Sequence, residues 1–489
     1  MSHLSKALQR LQKKVHISWL VASFAAGLLL GAAITPALLH IETNYTLIAI
    51  SLTLTASALA WGKTVALPIA LAGGLSLGLW LGLNNYESYE EYSVHYGDSI
   101  TLSGTVSRDI NLTEDGQQQI RLDDVELESE NYPGEVWLST YAQLEVKRGD
   151  NITAAGTLSE GFGTFAAAIY RARITEVVRP EPGDVGRVAR DWFSLRIKES
   201  IPEPESTLGI SYLTGHRQAL PSDISERLRI LGLSHIVVAS GFHLTIVVRY
   251  LRRAISSTSK YLATFLSLVA IVGFLFVTGF STSMTRASLV AGLSLLAWYY
   301  GRNIHPVVLL LIVAAMTIVI SPQFIWGDMG WYLSFAAFTG VIILAPLINS
   351  FFFGDKEKQG AIHYTLLATT SAQITTFPIV AFAFGHYSPL ALLANLVMLP
   401  LVPIAMLLTA VAGIVESISS TLGSVAGLPA YGILLYMTNI TEWLASSPWA
   451  AGEISFSLHH VVYSYTAILL LIIILRLLTG HKLKRETVV

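Results

Sequence analysis

Val15-His-Ile-Ser-Trp-Leu-Val-Ala-Ser-Phe-Ala-Ala-Gly-Leu-Leu-Leu-Gly-Ala-Ala-Ile-Thr-Pro-Ala-Leu-Leu39 carries no charged side chain and follows Lys6, Arg10, Lys13 and Lys14. A helix needs about 20 mainly apolar residues to cross a bilayer. This run is long enough, and too long for the core of a secretion signal, so it reads as a retained span. The rest of the chain agrees. Of its 489 residues 53% are apolar and 13% charged, against roughly 25% charged in an ordinary soluble domain. A single soluble enzyme, a disordered scaffold and a basic soluble nucleic-acid binder are excluded. With no cysteine, there is no disulfide, zinc–thiolate site, iron–sulfur cluster or thiol nucleophile.

Two more spans follow, near Thr46–Trp61 and Val65–Leu83. Gly27/Gly31 and Gly74/Gly78/Gly82 recur at four-residue spacing, which either lets helix backbones approach closely or is the ordinary glycine content of such helices. Further apolar runs lie at His235–Tyr250, Tyr261–Phe280, Met284–Tyr300, Pro306–Ile320, Trp331–Phe353, Ile362–Phe384, Pro389–Ile414, Ala426–Leu444 and His460–Leu478. The sequence thus predicts a polytopic α-helical membrane protein of about 12 spans. In Pro389–Ile414, Pro400 and Pro403 remove helix hydrogen bonds, so that stretch is either one span or a broken or re-entrant pair.

Basic residues mark cytoplasmic loops. With the N-terminus inside, the inner loops hold Arg249, Arg252, Arg253 and Lys260, then Arg302, then Lys356 and Lys358, and the tail holds Lys482, Lys484 and Arg485. The loops around Ser281–Ser283, Ser321–Gly330 and Gly385–Ser388 have no Lys or Arg. Both termini are therefore expected in the cytoplasm, and the polar segment after the third span outside it. That segment is acidic: residues 84–205 carry 23 acids against 11 bases, a balance of −12, and the remainder balances at +10.

Within it, Ile100–Val106, Gln119–Val125, Val136–Leu138, Gln143–Val146 and Asn151–Leu158 alternate as half-buried strands, with an Arg148-Gly149-Asp150 turn. Five or six short strands fit a small closed barrel inserted between the spans, and the oligonucleotide-binding (OB) barrel is one such fold. Arg108, Arg121, Lys147, Arg148, Arg171 and Arg173 could gather into a DNA-binding face, with Tyr141, Phe162, Phe165 and Tyr170 stacking on bases. Against this stands the acidic balance, since DNA-binding surfaces are normally basic; core packing and a solvated face account for the same residues.

After the insert come Leu213-Thr-Gly-His-Arg217, an amphipathic turn at Ser222–Leu231, and Gly232-Leu-Ser-His-Ile-Val-Val-Ala-Ser-Gly-Phe-His-Leu244. These stretches closely resemble the ComEC competence-protein family, whose core has a Gly-x-Arg element and a Leu-Ser-His-(apolar)-Ser-Gly-Leu-His signature. His235, Ser240, Gly241 and His243 occupy the matching positions. Ser281-Thr-Ser-Met-Thr-Arg-Ala287, with Arg286, is similar to a Ser-x-x-x-Arg-Ala element, and Trp331-Tyr-Leu-Ser-Phe335 to a Leu-Ser-Phe span. Gln373–Pro378, Phe384–Ser388 and Asn395–Pro400 resemble the family's late helices. Tyr332, Phe242 and Thr245 depart from its pattern. Longer relatives add a metallo-β-lactamase-like nuclease domain; this chain resembles a short form without it and has no His-x-His-x-Asp-His cluster.

The resemblance implies a channel that imports single-stranded DNA across the bacterial cytoplasmic membrane during natural transformation. It implies residues 1–84 as membrane spans, 85–182 as an extracytoplasmic OB-like barrel, 183–234 as an amphipathic connector, 235–480 as the channel core and 481–489 as a cytoplasmic tail. No enzyme activity, metal or cofactor is expected. The expected partners are single-stranded DNA, membrane lipid, and a separate DNA receptor, nuclease and cytoplasmic motor, since the chain has no Walker motif. A phosphate backbone needs a wet path with donors or cations. Arg217, His235, Ser240, Gly241, His243, Arg286, Ser334, Gln373 and Asn395 are the candidates for it. Hydrogen bonding between helices is the other reading for the polar ones, close packing for Gly241 and an interfacial position for Arg217. Arg286 stands apart, because an arginine near a membrane span is a functional candidate by default. Three other functions stay open: a small-solute transporter using a broken helix, a serine hydrolase with Ser240 and His243, and a non-conducting scaffold.

Overall fold

The computed structural model describes residues 14–39, 45–113, 115–141, 144–181, 183–215, 220–237, 241–354 and 360–480. Two compact units emerge: Met1–Pro180 with Ile304–Trp331, and Glu181–Asn303 with Tyr332–Val489.

In the first unit, helices α1 (Ile17–Ile34), α2 (Thr46–Trp61) and α3 (Ala66–Glu90) precede the barrel. The paired glycines are close-packing positions: a Cβ on Gly27 would fall on the Leu71 carbonyl oxygen, and one on Gly74 on that of Phe24. Small residues let the two backbones meet where larger ones would hold them apart.

The barrel consists of β1 (Ser99–Val106), β2 (Gln118–Leu127), β3 (Val136–Thr140), β4 (Asn151–Glu160) and β5 (Ala167–Ile169), closed in the order β1-β2-β3-β5-β4-β1. Strand β6 (Arg173–Val178) adds to β4. Among the described residues only the β3–β5 contact is parallel, with Val136 opposite Ala167 and Leu138 opposite Ile169. Alternation puts Leu102, Ile120, Leu122, Leu138, Ile152 and Leu158 in the core. One expected strand is corrected. Residues 144–146 are not extended in a ladder, and Gln143 lies outside the described residues. The parallel neighbour of β3 is instead Ala167-Ala-Ile169, buried throughout and so without the alternation that marks a half-exposed strand.

The same unit takes in α11 (Pro306–Ile320) and the short α12 (Phe324–Gly327). Trp326 donates from Nε1 to the Ala32 carbonyl at 2.9 Å, and Gln323 to Asn85 at 3.0 Å. These bonds tie the α11–α12 corner to α1 and α3.

The second unit starts with α4 (Val185–Ser200), α5 (Glu205–Thr214), α6 (Ser222–Ile230), α7 (Ser234–Val237), α8 (Gly241–Ile255), α9 (Lys260–Thr278) and α10 (Thr282–Tyr299). Helix α13 (Met329–Thr339) runs through a five-residue π segment, Gly340–Leu344, into α14 (Ala345–Phe353). Then follow α15 (Ala361–Phe384), α16 (Ala391–Met398), α17 (Val402–Glu416), α18 (Ser420–Ala445) and α19 (Leu458–Thr479). The core of the unit joins α4 to α8 with α16 to α18 through Ile197, Tyr212, Leu228, Met398, Ala405 and Leu434.

Among the described residues, 7 helices are long and apolar enough to cross a membrane, or 8 with the bent pair α16–α17. This is a membrane protein. The bend between α16 and α17 is 45°, at the prolines that made Pro389–Ile414 ambiguous in the sequence. Thr46–Trp61 and Pro306–Ile320 are apolar but short, 16 and 15 residues, so each rises only about 23 Å against a hydrocarbon core of about 30 Å.

Candidate functional site

The second unit gathers three of the expected polar residues around the turn between α6 and α8. Gly232 at φ +66° reverses the chain there, a conformation that favours glycine. Its carbonyl sits 3.1 Å from His235 Nδ1. The His235 ring is exposed, although Leu233, Ile236 and Val237 beside it are buried. The buried Asn395 amide lies against that ring, and its Nδ2 donates to the Ala391 carbonyl at 2.8 Å. His243, on α8, is fully buried and stacks on Tyr212 of α5, with centroids 6.4 Å apart and planes at 24°.

Gly241 brings α8 onto α10: a Cβ there would stand 3.1 Å from that of Ala287. The neighbouring Arg286 is buried, at 3% exposure. A buried guanidinium inside an apolar helix bundle is costly unless anions, dipoles or water meet it. Arg217 and Ser240 lie outside the described residues.

Ser334 and Gln373 sit elsewhere, half-buried on α13 and α15. Those helices approach at the π segment, where a Cβ on Gly340 would meet the Ser371 carbonyl and the Thr375 hydroxyl. No hydrogen bond among the described residues links Ser334 or Gln373 to the His235–Asn395 group.

On the barrel, the six basic candidates divide. Arg108 pairs with Glu135 at 3.7 Å, and Lys147 with Glu145 at 2.6 Å. Arg148 is buried at 2% exposure. The Arg148-Gly149-Asp150 turn is organised by Asp150, fully buried, which accepts from Arg179 Nε at 2.9 Å, Arg179 Nη2 at 2.8 Å and the Lys147 amide at 2.9 Å. Arg171 and Arg173 are exposed.

Arg121 lies with its guanidinium carbon 5.1 Å from the centroid of Phe165. Burial, and then the neighbouring Arg108, lower its pKa. From Phe165 a chain of rings continues: Phe162 at 5.2 Å, Trp137 a further 5.3 Å away, and Tyr170 5.2 Å from Trp137. Phe162 and Tyr170 are exposed, and Arg171 adjoins Tyr170 in sequence. The result is an aromatic strip with the Arg121 guanidinium against one end.

Sequence reasoning named the Arg148-Gly149-Asp150 turn but not the Arg179 that pairs with Asp150, and it missed Tyr212, Trp137 and the buried pair Arg187 and Arg190. Only the arginine pair left a signal, its three-residue spacing on an amphipathic helix.

A bundle of apolar spans with buried cationic and imidazole side chains defines a membrane protein built around polar groups held out of lipid. Its family follows from comparison. A family model described as "Competence protein" matches residues 212–478, more than half of the chain, and the chain belongs to that family. ComE operon protein 3 of Bacillus subtilis (strain 168) is 25% identical over 229 residues, 46% of this chain and 28% of that protein. An uncharacterized protein of Aquifex aeolicus (strain VF5) is 24% identical over 216 residues, 44% of this chain and 49% of that one. The matched stretches thus span about half the length of these relatives or less. No solved structure matches the chain.

Proposed function

We propose that the chain forms a conduit for single-stranded DNA across the bacterial cytoplasmic membrane during natural transformation. The observation that carries this reading is the coincidence of the competence-family region with buried His243, Asn395 and Arg286 and with His235, exposed against Asn395. Such groups suit a wet route for a phosphate backbone, because they donate hydrogen bonds to anions in a low-dielectric setting. The chain acts without catalysis of its own. A receptor delivers DNA, a separate nuclease removes one strand and a cytoplasmic motor pulls the other.

The finer architecture follows the same reading. The strand order of the barrel, with its single parallel contact, supports an OB-like domain. We place it outside the cytoplasm, both termini inside, and count about 12 crossings with the short helices included. Arg252 and Lys260 stand 5.1 and 5.2 Å from the Trp298 ring. That basic and aromatic cluster suits a cytoplasmic interface.

The deciding experiment is uptake of labelled DNA by cells with and without the gene, read as label inside the cytoplasm that external DNase cannot reach. Loss on deletion, with DNA still held at the surface, supports the reading; unchanged uptake refutes it. A small-solute transporter is favoured by one observation, the 45° bend between α16 and α17, since broken helices form substrate sites in such proteins. Saturable uptake of a small solute, independent of DNA, would turn the assignment that way.

A further inference from the structure

Helix α4 has its faces reversed relative to a helix of a soluble protein. Val185, Val188, Trp192 and Leu195 recur at intervals of three and four, one stripe of an α-helix, and are 67%, 51%, 54% and 49% exposed. On the opposite side Arg187 and Arg190 are 6% and 4% exposed. That face packs into the second unit: a Cβ on Gly186 would meet the Phe276 carbonyl of α9, and Phe193 and Ile197 lie against Gly413 of α17. In water this arrangement would expose four large apolar side chains and bury two cations. At a membrane it is favourable on the outer side, where lipid takes the apolar stripe.

The inner side needs its own explanation. Arg190 is held by Asp191 at 3.0 Å. Arg187 makes no ion pair among the described residues, and its Nε has no hydrogen-bond partner. An uncompensated buried cation costs several kcal/mol, so a folded chain retains one where water or an anion reaches it. Helix α4 directly follows the barrel and leads into α5, which carries Tyr212 and so the stack on His243.

We propose that Arg187, with Arg190 one turn further on, is a contact for the phosphodiester backbone of single-stranded nucleic acid. The inference rests on the DNA-conduit reading and deepens it. Arg187 neutralises a phosphate without reading sequence, while Trp192 anchors the opposite face in lipid.

The absence of cysteine from the chain allows a direct test. Arg187→Cys and, as control, Trp192→Cys are made in the full chain and reconstituted in zwitterionic nanodiscs. Binding of fluorescent oligo(dT) is measured by anisotropy across a salt series. Each phosphate contact on a single strand contributes about 0.7 to the slope of log affinity against log salt. Arg187→Cys is expected to flatten the slope by about that amount and weaken low-salt binding roughly tenfold. A cationic methanethiosulfonate then restores the slope, an anionic one weakens binding further, and oligo(dT) protects the thiol from both. Trp192→Cys changes neither slope nor affinity. If Arg187→Cys does not insert, Arg187→Lys replaces it and must keep the full slope.

A wild-type slope in folded Arg187→Cys, a thiol that reacts only after denaturation, or a flattened slope in folded Arg187→Lys overturns the proposal. So does an effect that appears only in phosphatidylglycerol nanodiscs, which would make Arg187 a lipid headgroup site. If the wild type itself shows no salt-dependent oligo(dT) binding, the DNA-conduit reading falls as well. Wild-type binding with Arg187 variants unaffected removes this inference alone.

Discussion

Tyr170→Ala separates stacking from charge on the barrel. Tyr170 ends the aromatic strip, is 54% exposed, and its nearest ring is Trp137 at 5.2 Å. Truncation removes one ring-to-ring contact, about 0.5–1.5 kcal/mol, and no core packing. The barrel therefore stays folded. A base stacked on such a ring contributes about 1–3 kcal/mol, so oligo(dT) affinity should fall about 5- to 150-fold. Its salt slope should not change, because no phosphate contact is lost. The assay is anisotropy with the full chain in nanodiscs at several salt concentrations, with a thermal melt to confirm the fold. Affinity within twofold of wild type at every salt concentration would refute the strip as a base platform. The aromatic chain would then be packing alone. A loss of affinity accompanied by a flatter slope would also contradict the reasoning, since it would show that the truncation disturbs Arg171 or Arg121 instead of a stacked base.

Arg286→Glu should abolish DNase-protected uptake at wild-type membrane levels, as it reverses charge beside the Gly241–Ala287 contact; normal uptake would remove Arg286 from the path. Asp150→Ala should destabilise the barrel by about 2–4 kcal/mol, the figure for breaking a buried pair reduced because Arg179 is 42% exposed. An unchanged melting profile would contradict this. Gly74→Ala should cost about 1–3 kcal/mol by forcing α1 from α3. Gly292→Ala, with nothing within 4 Å of the added carbon, serves as control and should be neutral or stabilising. Equal melting temperatures for the two variants would show that the glycine contact is unimportant.

What the sequence revealed and what it hid follow from the reach of each physical signal. Apolar length is local, so the long spans were legible; Pro400 and Pro403 left Pro389–Ile414 open between one span and a broken or re-entrant pair, and the 45° bend came only with the fold. The four-residue glycine spacing was legible too, but not that Gly27 faces Leu71 and Gly74 faces Phe24, which depends on the pairing of two helices. Alternation exposed the half-buried strands and failed on Ala167–Ile169, whose residues are all buried. Within the candidate site, the signature stretch pointed to His235 and His243, yet Tyr212 carried no mark, because its stack on His243 joins residues 31 apart in the chain.

Helix α4 shows the limit most directly. Its two stripes are readable from Val185-Gly-Arg-Val-Ala-Arg-Asp-Trp192, but periodicity gives the stripes and not their direction. The default assignment for an amphipathic helix puts the apolar stripe in the core. That default assumes water outside. With lipid outside, both faces of the protein surface change meaning: an exposed Trp192 is at ease, and an inward Arg187 becomes the exception that calls for an anion or water. The direction is fixed by a long-range fact, the packing of Gly186 on Phe276 and of Ile197 on Gly413. Cationic side chains on the inner face of an amphipathic connector are therefore the residues that a linear reading of such a chain assigns to solvent and the fold assigns to the interior.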